Sequence, residues 1–531
     1  MSEVLFMYTV RLLLDTTKYD EYELARRFRA CWHVHTVVVK HAQHLLNRLE
    51  NDRDYRALLK EYRSLMKASE HKDAKICGPA KARRQVLSEA MTAIRVSIGL
   101  TEYALQKYAA RQSLHYGKML ASSQIQKIAS NVYKGVEKVL FGKGKRLHIK
   151  KLKDVDVIPG KNPKNGICYY DASHTKYYKK SVTPIHPDGE IEYLGLQIPV
   201  KHSRNKRTGE YMALALQNGI SYCEIKRIPF KNKDRYYVIL YMRGTAPKMF
   251  TPGHDDMGID PGVSSMACVT DNGALLEELA PHARDFERRI AKLQRSVDRS
   301  LRISNPENYN PDGTHKKGKR KITPSKTCKR KMRLIRVLHR KQADATDTSH
   351  GKLANKIVRM SGAATVNAEK NEYAAMGKRV KETSRQDKPS AVTNKKGEQK
   401  TVYKCRRKKR LGSSMSSRAP AKFMAKLENK VKQYGGTFQY VDTKELKASR
   451  YRHDTDTYEK VPLSQRSKVI NGEEVQRDLY SAFIIRNVKK SLKKPDRRRM
   501  IKQFSNFIQI QNSLITKMKA DNKTMKQVFG F

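Results

Sequence analysis

Three carboxylates carry the chemistry this sequence can offer. Asp260 ends a short apolar run in MGIDPGVSSMACVTDNG, residues 257–273. Glu369 follows AATVNA and opens the stretch AEKNEYAAMGKR. Asp478 stands in EVQRDLYSAFIIRNV, where Leu479, Ala482, Phe483 and Ile485 have helical spacing. Acids fixed on rigid elements can hold two divalent cations roughly 4 Å apart, an arrangement that cuts phosphodiesters. Magnesium suits such a site because it takes a few hard oxygen ligands and keeps some water; manganese is the substitute. Each acid also has an ordinary reading. Asp260 then ends a surface strand, and Asp478 starts a helix and complements its dipole. Glu372, one turn beyond Glu369, competes for the second position.

The rest of the chain must position these acids. VLFMYTVRLLL, 4–14, reads as one strand, and residues 1–15 form the first segment. Residues 16–160 show helical period, as in YELARRFRACWHVHTVVVKHAQHLLNRLE, which places Trp32 in a core. Over 161–250 short alternating runs follow: IEYLGLQIPV, YMALALQN, SYCEIKRIPF and RYYVILYMRG. They predict an antiparallel β domain that the isolated first strand joins, with the helical block inserted into it. Residues 251–441 predict strands bearing Asp260 and Glu369 among long basic helices, and 442–474 a small separate segment. Residues 475–531 add the Asp478 helix and a basic helical tail. A strand–link–strand start with an acid on the first strand is how ribonuclease H-like folds begin. Two Lys-rich loops, 303–326 and 382–400, read as mobile and are candidates for gating a strand.

Composition narrows the partner. There are 531 residues, with 110 Lys+Arg against 52 Asp+Glu, a formal charge of +58. A compact chain with that charge needs a polyanion, and nucleic acid fits best. No segment approaches the roughly 20 apolar residues of a membrane span. The seven cysteines show no C-x-x-C pair, which points to reduced thiols in a cytosolic compartment, and a DNA-binding protein there is expected on the nucleoid when on DNA.

The three acidic stretches, in this order, resemble the TnpB-like transposon-encoded nucleases and the type V CRISPR effectors. GIDPG is similar to their first RuvC motif. AEKNEYAAMGKR, with GSSMSSRAP downstream, is similar to the second, and QRDLYSAF to the third. The resemblance covers roughly 252–488, while the N-terminal half is similar only in architecture. It implies a multidomain α+β protein: a β-barrel-like wedge domain with an inserted helical recognition domain, then a C-terminal ribonuclease H-like (RuvC) nuclease. It also implies that Asp260, Glu369 and Asp478 are the catalytic, metal-binding triad, and it selects Glu369 over Glu372. The implied partners are a guide RNA and double-stranded target DNA. One protein copy per RNA is expected, with two left open. One departure stands out. The family places a zinc ribbon between the second and third acids, but 442–474 has no cysteine. His453, Asp454 and Asp456 lack the thiolates of a structural zinc site, so no zinc is expected.

Basic and aromatic clusters add candidate contacts. CRRKKRLGSSMSSR joins Arg406, Arg407, Lys408, Lys409 and Arg410 to a Gly/Ser-rich turn ending at Arg418. Such a turn can bring backbone amides to a phosphate; the alternative is a solvated charge run. YYDASHTKYYKK interleaves Tyr169, Tyr170 and Tyr177 with lysines, and tyrosine faces stack on unpaired bases. The alternative there is a half-buried strand. Arg477 contacts a scissile phosphate or fills the helix-start surface. Two further functional classes remain: a guided DNA-binding protein that does not cut, which would lack an acid, and a protein-guided transposase, which would carry its own DNA-reading module.

Overall fold

In a computed structural model, the described residues are 7–531 without 71–73, 143, 163–165, 172–175, 179–180, 184–187, 203–204, 231–232, 311–315, 317, 319–321, 378–389, 394–398, 403–410, 463 and 525–528. They form two compact units, Met1–Pro247 and Lys248–Phe531.

In the first unit, β1 (Met7–Leu14) alternates, burying Val10, Leu12 and Leu14. It lies inside a seven-stranded sheet. The other strands are β2 (Val157–Ile158), β3 (Ile167–Tyr170), β4 (Glu190–Tyr193), β5 (Leu196–Lys201), β6 (Ile220–Phe230) and β7 (Lys233–Arg243). The order is β2-β6-β7-β1-β5-β4-β3. β1 runs antiparallel to β7 from Met7 opposite Arg243 to Leu13 opposite Tyr237, and it also pairs with β5. Thr17 and Asp20 then open α1 (Lys18–Asn51) with a reciprocal capping box. Its buried Leu24, Phe28, Cys31, Val34, Val38 and Ala42 fall every three or four residues. They share one core with α2 (Ser122–Leu140) and the inner face of the sheet. One expectation is corrected here. YMALALQN is not a strand, because α3 spans Lys206–Leu216. The Asn205 side chain accepts from the Thr208 amide, and Ala, Leu, Met and Glu favour a helix that buries only Met212 and Ala215.

The second unit holds a five-stranded mixed sheet. Its strands are β8 (Met257–Pro261), β9 (Ser265–Val269), β10 (Ala274–Glu278), β11 (Thr365–Glu369) and β12 (Thr437–Val441), in the order β10-β9-β8-β11-β12. β8, β9 and β10 form an antiparallel meander. β11 lies parallel to β8, and β12 parallel to β11. The longer helices are α4 (Glu287–Ser304), α5 (Lys326–Ser361), α6 (Leu411–Arg418), α7 (Pro420–Tyr434), α8 (Arg477–Arg486) and α9 (Arg497–Ala520). Alternation in β8 sends Met257 and Ile259 to one core, shared with α5 and α7. A second core on the other face joins Ala267 and Val269 of β9 to α8 and α9.

Gly258 faces α8. A Cβ there would lie 2.0 Å from the Ala482 carbonyl oxygen and 2.4 Å from the Arg486 amide nitrogen. The helix therefore rests directly on the strand backbone. This close approach places the first turn of α8, with Asp478, near the end of β8 that carries Asp260.

The two loops marked for gating are only partly described. Asn305 ties the ends of the first: its side chain accepts from the Thr323 amide at 2.7 Å and donates to the Thr323 carbonyl at 3.2 Å. In the second, Ser390–Thr393 pairs with Gln399–Val402.

Candidate active site

Asp260 and Glu369 end the neighbouring parallel strands β8 and β11, and Asp478 is the second residue of α8. All three line one cavity of about 550 Å³. Glu372 is exposed and does not line it, so the cavity separates the two competing glutamates.

The Asp260 and Glu369 carboxyls lie close enough to act on each other's protonation. Both keep a small face toward the cavity but are otherwise enclosed by protein. Burial pushes the Asp260 pKa far above the usual carboxylate range, and the Glu369 and Asp478 carboxylates push it further; Arg477 opposes them. Burial also raises that of Glu369. Two such carboxyls can sit together only with a shared proton or a cation between them.

Asp478 has different company. Its Oδ1 accepts from Arg477 Nη2 at 3.1 Å and Nε at 3.2 Å, and Arg466 Nη1 lies 3.8 Å from Oδ2. Gln476 caps the helix by accepting from the Leu479 amide at 2.7 Å. Among the described residues, no three His, Cys, Asp or Glu side chains stand together as a metal-holding group. The Asp260–Glu369 pair nevertheless fits a divalent cation: its donors are hard oxygens, and its mutual repulsion is what a cation relieves. Asp478 lines the same cavity with an arginine beside each of its oxygens.

The cavity also draws in residues the sequence did not single out. Arg450, Lys460 and Arg466 line it from the 442–474 segment. Their only sequence signal was position inside that segment, which is faint in a chain with 110 basic residues. Asn371 donates to the Pro261 carbonyl at 2.6 Å, tying the chain after β11 to the Asp260 strand.

The 442–474 segment is held by protein bonds. A two-residue Asn471–Gly472 turn, both at positive φ, joins β13 (Ser467–Ile470) to β14 (Glu473–Gln476). His453 is buried, with its ring centre 4.6 Å from that of Phe504. The Tyr480 hydroxyl accepts from the His453 amide at 3.1 Å and lies 2.8 Å from Nδ1. Arg497 donates to the carbonyls of His453 and Asp454, each at 2.8 Å. Asp454 pairs with Arg452 at 2.7 Å, and Asp456 accepts from the Tyr451 hydroxyl at 2.7 Å.

Burial lowers the His453 pKa below its ordinary 6.5. The folded chain thus keeps His453 neutral while the unfolded chain protonates, and stability should fall as pH drops below about 6.5. Urea unfolding from pH 7.5 to 5.5 tests this. His453→Gln should show a shallower loss with acid; an identical pH slope would count against it.

Several candidate contacts move. Arg418 is buried; its guanidinium donates to the Leu279 carbonyl at 2.6 Å and pairs with Glu278. It braces the sheet edge and does not face a nucleic acid. The residues before it, GSSMSSR, form α6 instead of the expected turn. That helix is held from α5, where Thr346 donates to the Ser417 carbonyl at 3.1 Å and His350 bonds the Arg418 carbonyl at 2.9 Å. Tyr169 is half-buried against the core of the first unit. Its hydroxyl is enclosed, without a partner among the described residues, which makes it a packing ring and not a free stacking face. Tyr170 is half-buried. The Tyr177 side chain and residues Arg406, Arg407, Lys408, Lys409 and Arg410 lie outside the described residues.

Taken together, the chain is a mixed α/β protein of two units with an acid-lined, arginine-rimmed cavity in the second. No family model and no curated protein matches it. Solved structures of type V CRISPR effectors are similar to it. A Cas12f1–sgRNA–target DNA complex shares 15% identity over 91% of this chain and 99% of that one, with a TM-score of 0.41. A CRISPR-Cas12f ternary complex shares 13% over 89% and 82%, at 0.21. A Cas12i1 R-loop complex before target DNA cleavage shares 10% over 94% and 64%, at 0.26. No helix among the described residues is long and apolar enough to cross a membrane.

Proposed function

We propose that this protein is an RNA-guided, magnesium-dependent DNA endonuclease whose ribonuclease H-like (RuvC) nuclease is the second unit. One observation carries the reading: Asp260, Glu369 and Asp478, more than a hundred residues apart in sequence at each step, line one cavity. The guide reading rests on the +58 charge and on the sequence resemblance. A guide–target duplex is held through its backbone in a positive channel, and each neutralised phosphate adds affinity by counterion release.

Asp260 and Glu369 would hold the divalent cations, with Asp478 as third ligand. Bound there, the cations lower the pKa of an attacking water and stabilise the leaving 3′ oxygen. Arg450, Lys460, Arg466 and Arg477 neutralise the strand phosphates along the rim. The strand ends fix Asp260 and Glu369, so little reorganisation is left at the moment of attack. The arginine contacts of Asp478 favour a second reading, a guided DNA-binding protein that does not cut.

The test is to express the chain with its flanking DNA, extract the bound nucleic acid and sequence it, then supply DNA complementary to the recovered RNA. A single discrete RNA and Mg2+-dependent cutting are expected. Binding without cutting selects the second reading, and heterogeneous cellular RNA overturns the guided function.

A further inference from the structure

Asp478 is engaged in a way the other two acids are not. Arg477 holds its Oδ1 at 3.1 Å, and Arg466 stands 3.8 Å from its Oδ2. The two arginines are coupled to each other, since the Arg477 amide donates to the Arg466 carbonyl at 2.9 Å. Both line the cavity that holds Asp260 and Glu369. Arg466 keeps a quarter of its side chain exposed, and its enclosed Nε has no acceptor among the described residues. The guanidinium thus carries a donor in search of an oxygen beside a carboxylate that it holds at long range.

We propose that Arg466 and Arg477 form a latch on Asp478 that a strand phosphate releases, so that the third carboxylate joins the cation site only when nucleic acid is in the cavity. This rests on the nuclease reading above. The exchange is chemically even. A guanidinium fork matches a phosphate diester as it does a carboxylate, so a strand replaces Asp478 as partner without stranding either arginine. Asp478 then loses its counter-ions beside two other acids. That is unfavourable without a cation and favourable with one. Strand and cation therefore bind cooperatively, and by linkage each raises the affinity of the other by the same factor. In the nucleic-acid-free chain Asp478 is paired with its arginines, so a cation entering the cavity meets two free carboxyls and not three. The resting site therefore takes up divalent ions poorly.

The experiment titrates the full chain, stripped of nucleic acid, with Mn2+ and follows the free-ion signal by electron paramagnetic resonance. It is repeated with a short single-stranded DNA, subtracting Mn2+ bound by that DNA alone. The expected result is a Kd for Mn2+ at least about tenfold lower with DNA, within the usual range of coupling between sites. Arg466→Ala and Arg477→Ala should each tighten Mn2+ binding to the DNA-free chain and reduce the effect of DNA. Equal Mn2+ affinity with and without DNA overturns the latch, and so does unchanged affinity in both arginine variants. Asp260→Asn separates the two levels. If it abolishes Mn2+ binding while the arginine variants are silent, only the latch fails. If Mn2+ binding survives it, the cation site itself is wrong. The comparison with and without DNA on the unmutated chain stands even where a variant does not fold.

Discussion

Asp260→Asn is expected to lower DNA cleavage by at least about a thousandfold, as loss of a group acting within a catalytic unit does, while guide and target binding persist. The same substitution should stabilise the second unit. Asp260 is a carboxyl whose folded-state pKa lies well above its ordinary value, through burial and then through Glu369 and Asp478. Its contribution to stability is fully present only below the unfolded pKa of about 4 and is lost as pH rises toward the folded one. At neutral pH it is therefore a liability, and the asparagine removes it. The melting temperature of the metal-free variant should exceed that of the parent by more at pH 8 than at pH 5. Cleavage retained within tenfold would dismiss Asp260 as a catalytic residue. A variant less stable than its parent at pH 8 would show that the carboxyl pair is satisfied without a cation.

The second large effect is structural. Gly258→Ala would set a methyl carbon 2.0 Å from the Ala482 oxygen and 2.4 Å from the Arg486 nitrogen, both of them backbone atoms of α8. Neither can swing aside as a flexible side chain would, so the helix must lift off the strand and carry Asp478 with it. A loss of about 3 kcal/mol or more is expected, at the upper end of overpacking effects. Gly273→Ala is the control: its Cβ would meet only the Met360 and Thr270 side chains, at 3.5 and 4.0 Å, so a change below about 1 kcal/mol is expected. Denaturant midpoints measure both. Equal stabilities for the two variants would refute the direct seating of α8 on β8. Because the contact also sets where Asp478 stands, Gly258→Ala should lose cleavage in whatever fraction remains folded.

What could be read in advance followed the reach of local rules. The alternation of β1 and the three-and-four spacing of α1 are properties of adjacent residues, and both elements formed where that spacing ran. Asp260, Glu369 and Asp478 were visible because the motifs around them resemble those of a nuclease family; an acid at a strand end or helix start is ordinary by itself. Gly258 sat in plain view inside GIDPG, but its reason for being glycine is a helix more than two hundred residues away. Arg466 failed for another reason. One arginine among 110 basic residues carries no mark until a fold brings it to a carboxylate. Arg418 failed in the opposite sense: it followed a charge run and was read as surface, whereas long-range partners at Glu278 and Leu279 draw it inside. YMALALQN misled because a continuous apolar run suits strand and helix alike, and the Asn205 cap decides between them.

The seating of α8 on β8 also has a consequence in time. The ribosome delivers the strand with Asp260 first, the strand with Glu369 next, and the helix with Asp478 last of the three. Until residue 486 has emerged, α8 is incomplete and cannot seat on β8 at Gly258, so nothing fixes Asp478 in the cavity. Interrupted synthesis therefore yields fragments with at most two of the three carboxylates in place. On the nuclease function proposed above, such fragments would not cut, and the order in which the chain is read would itself guard the chromosome beside which it is made.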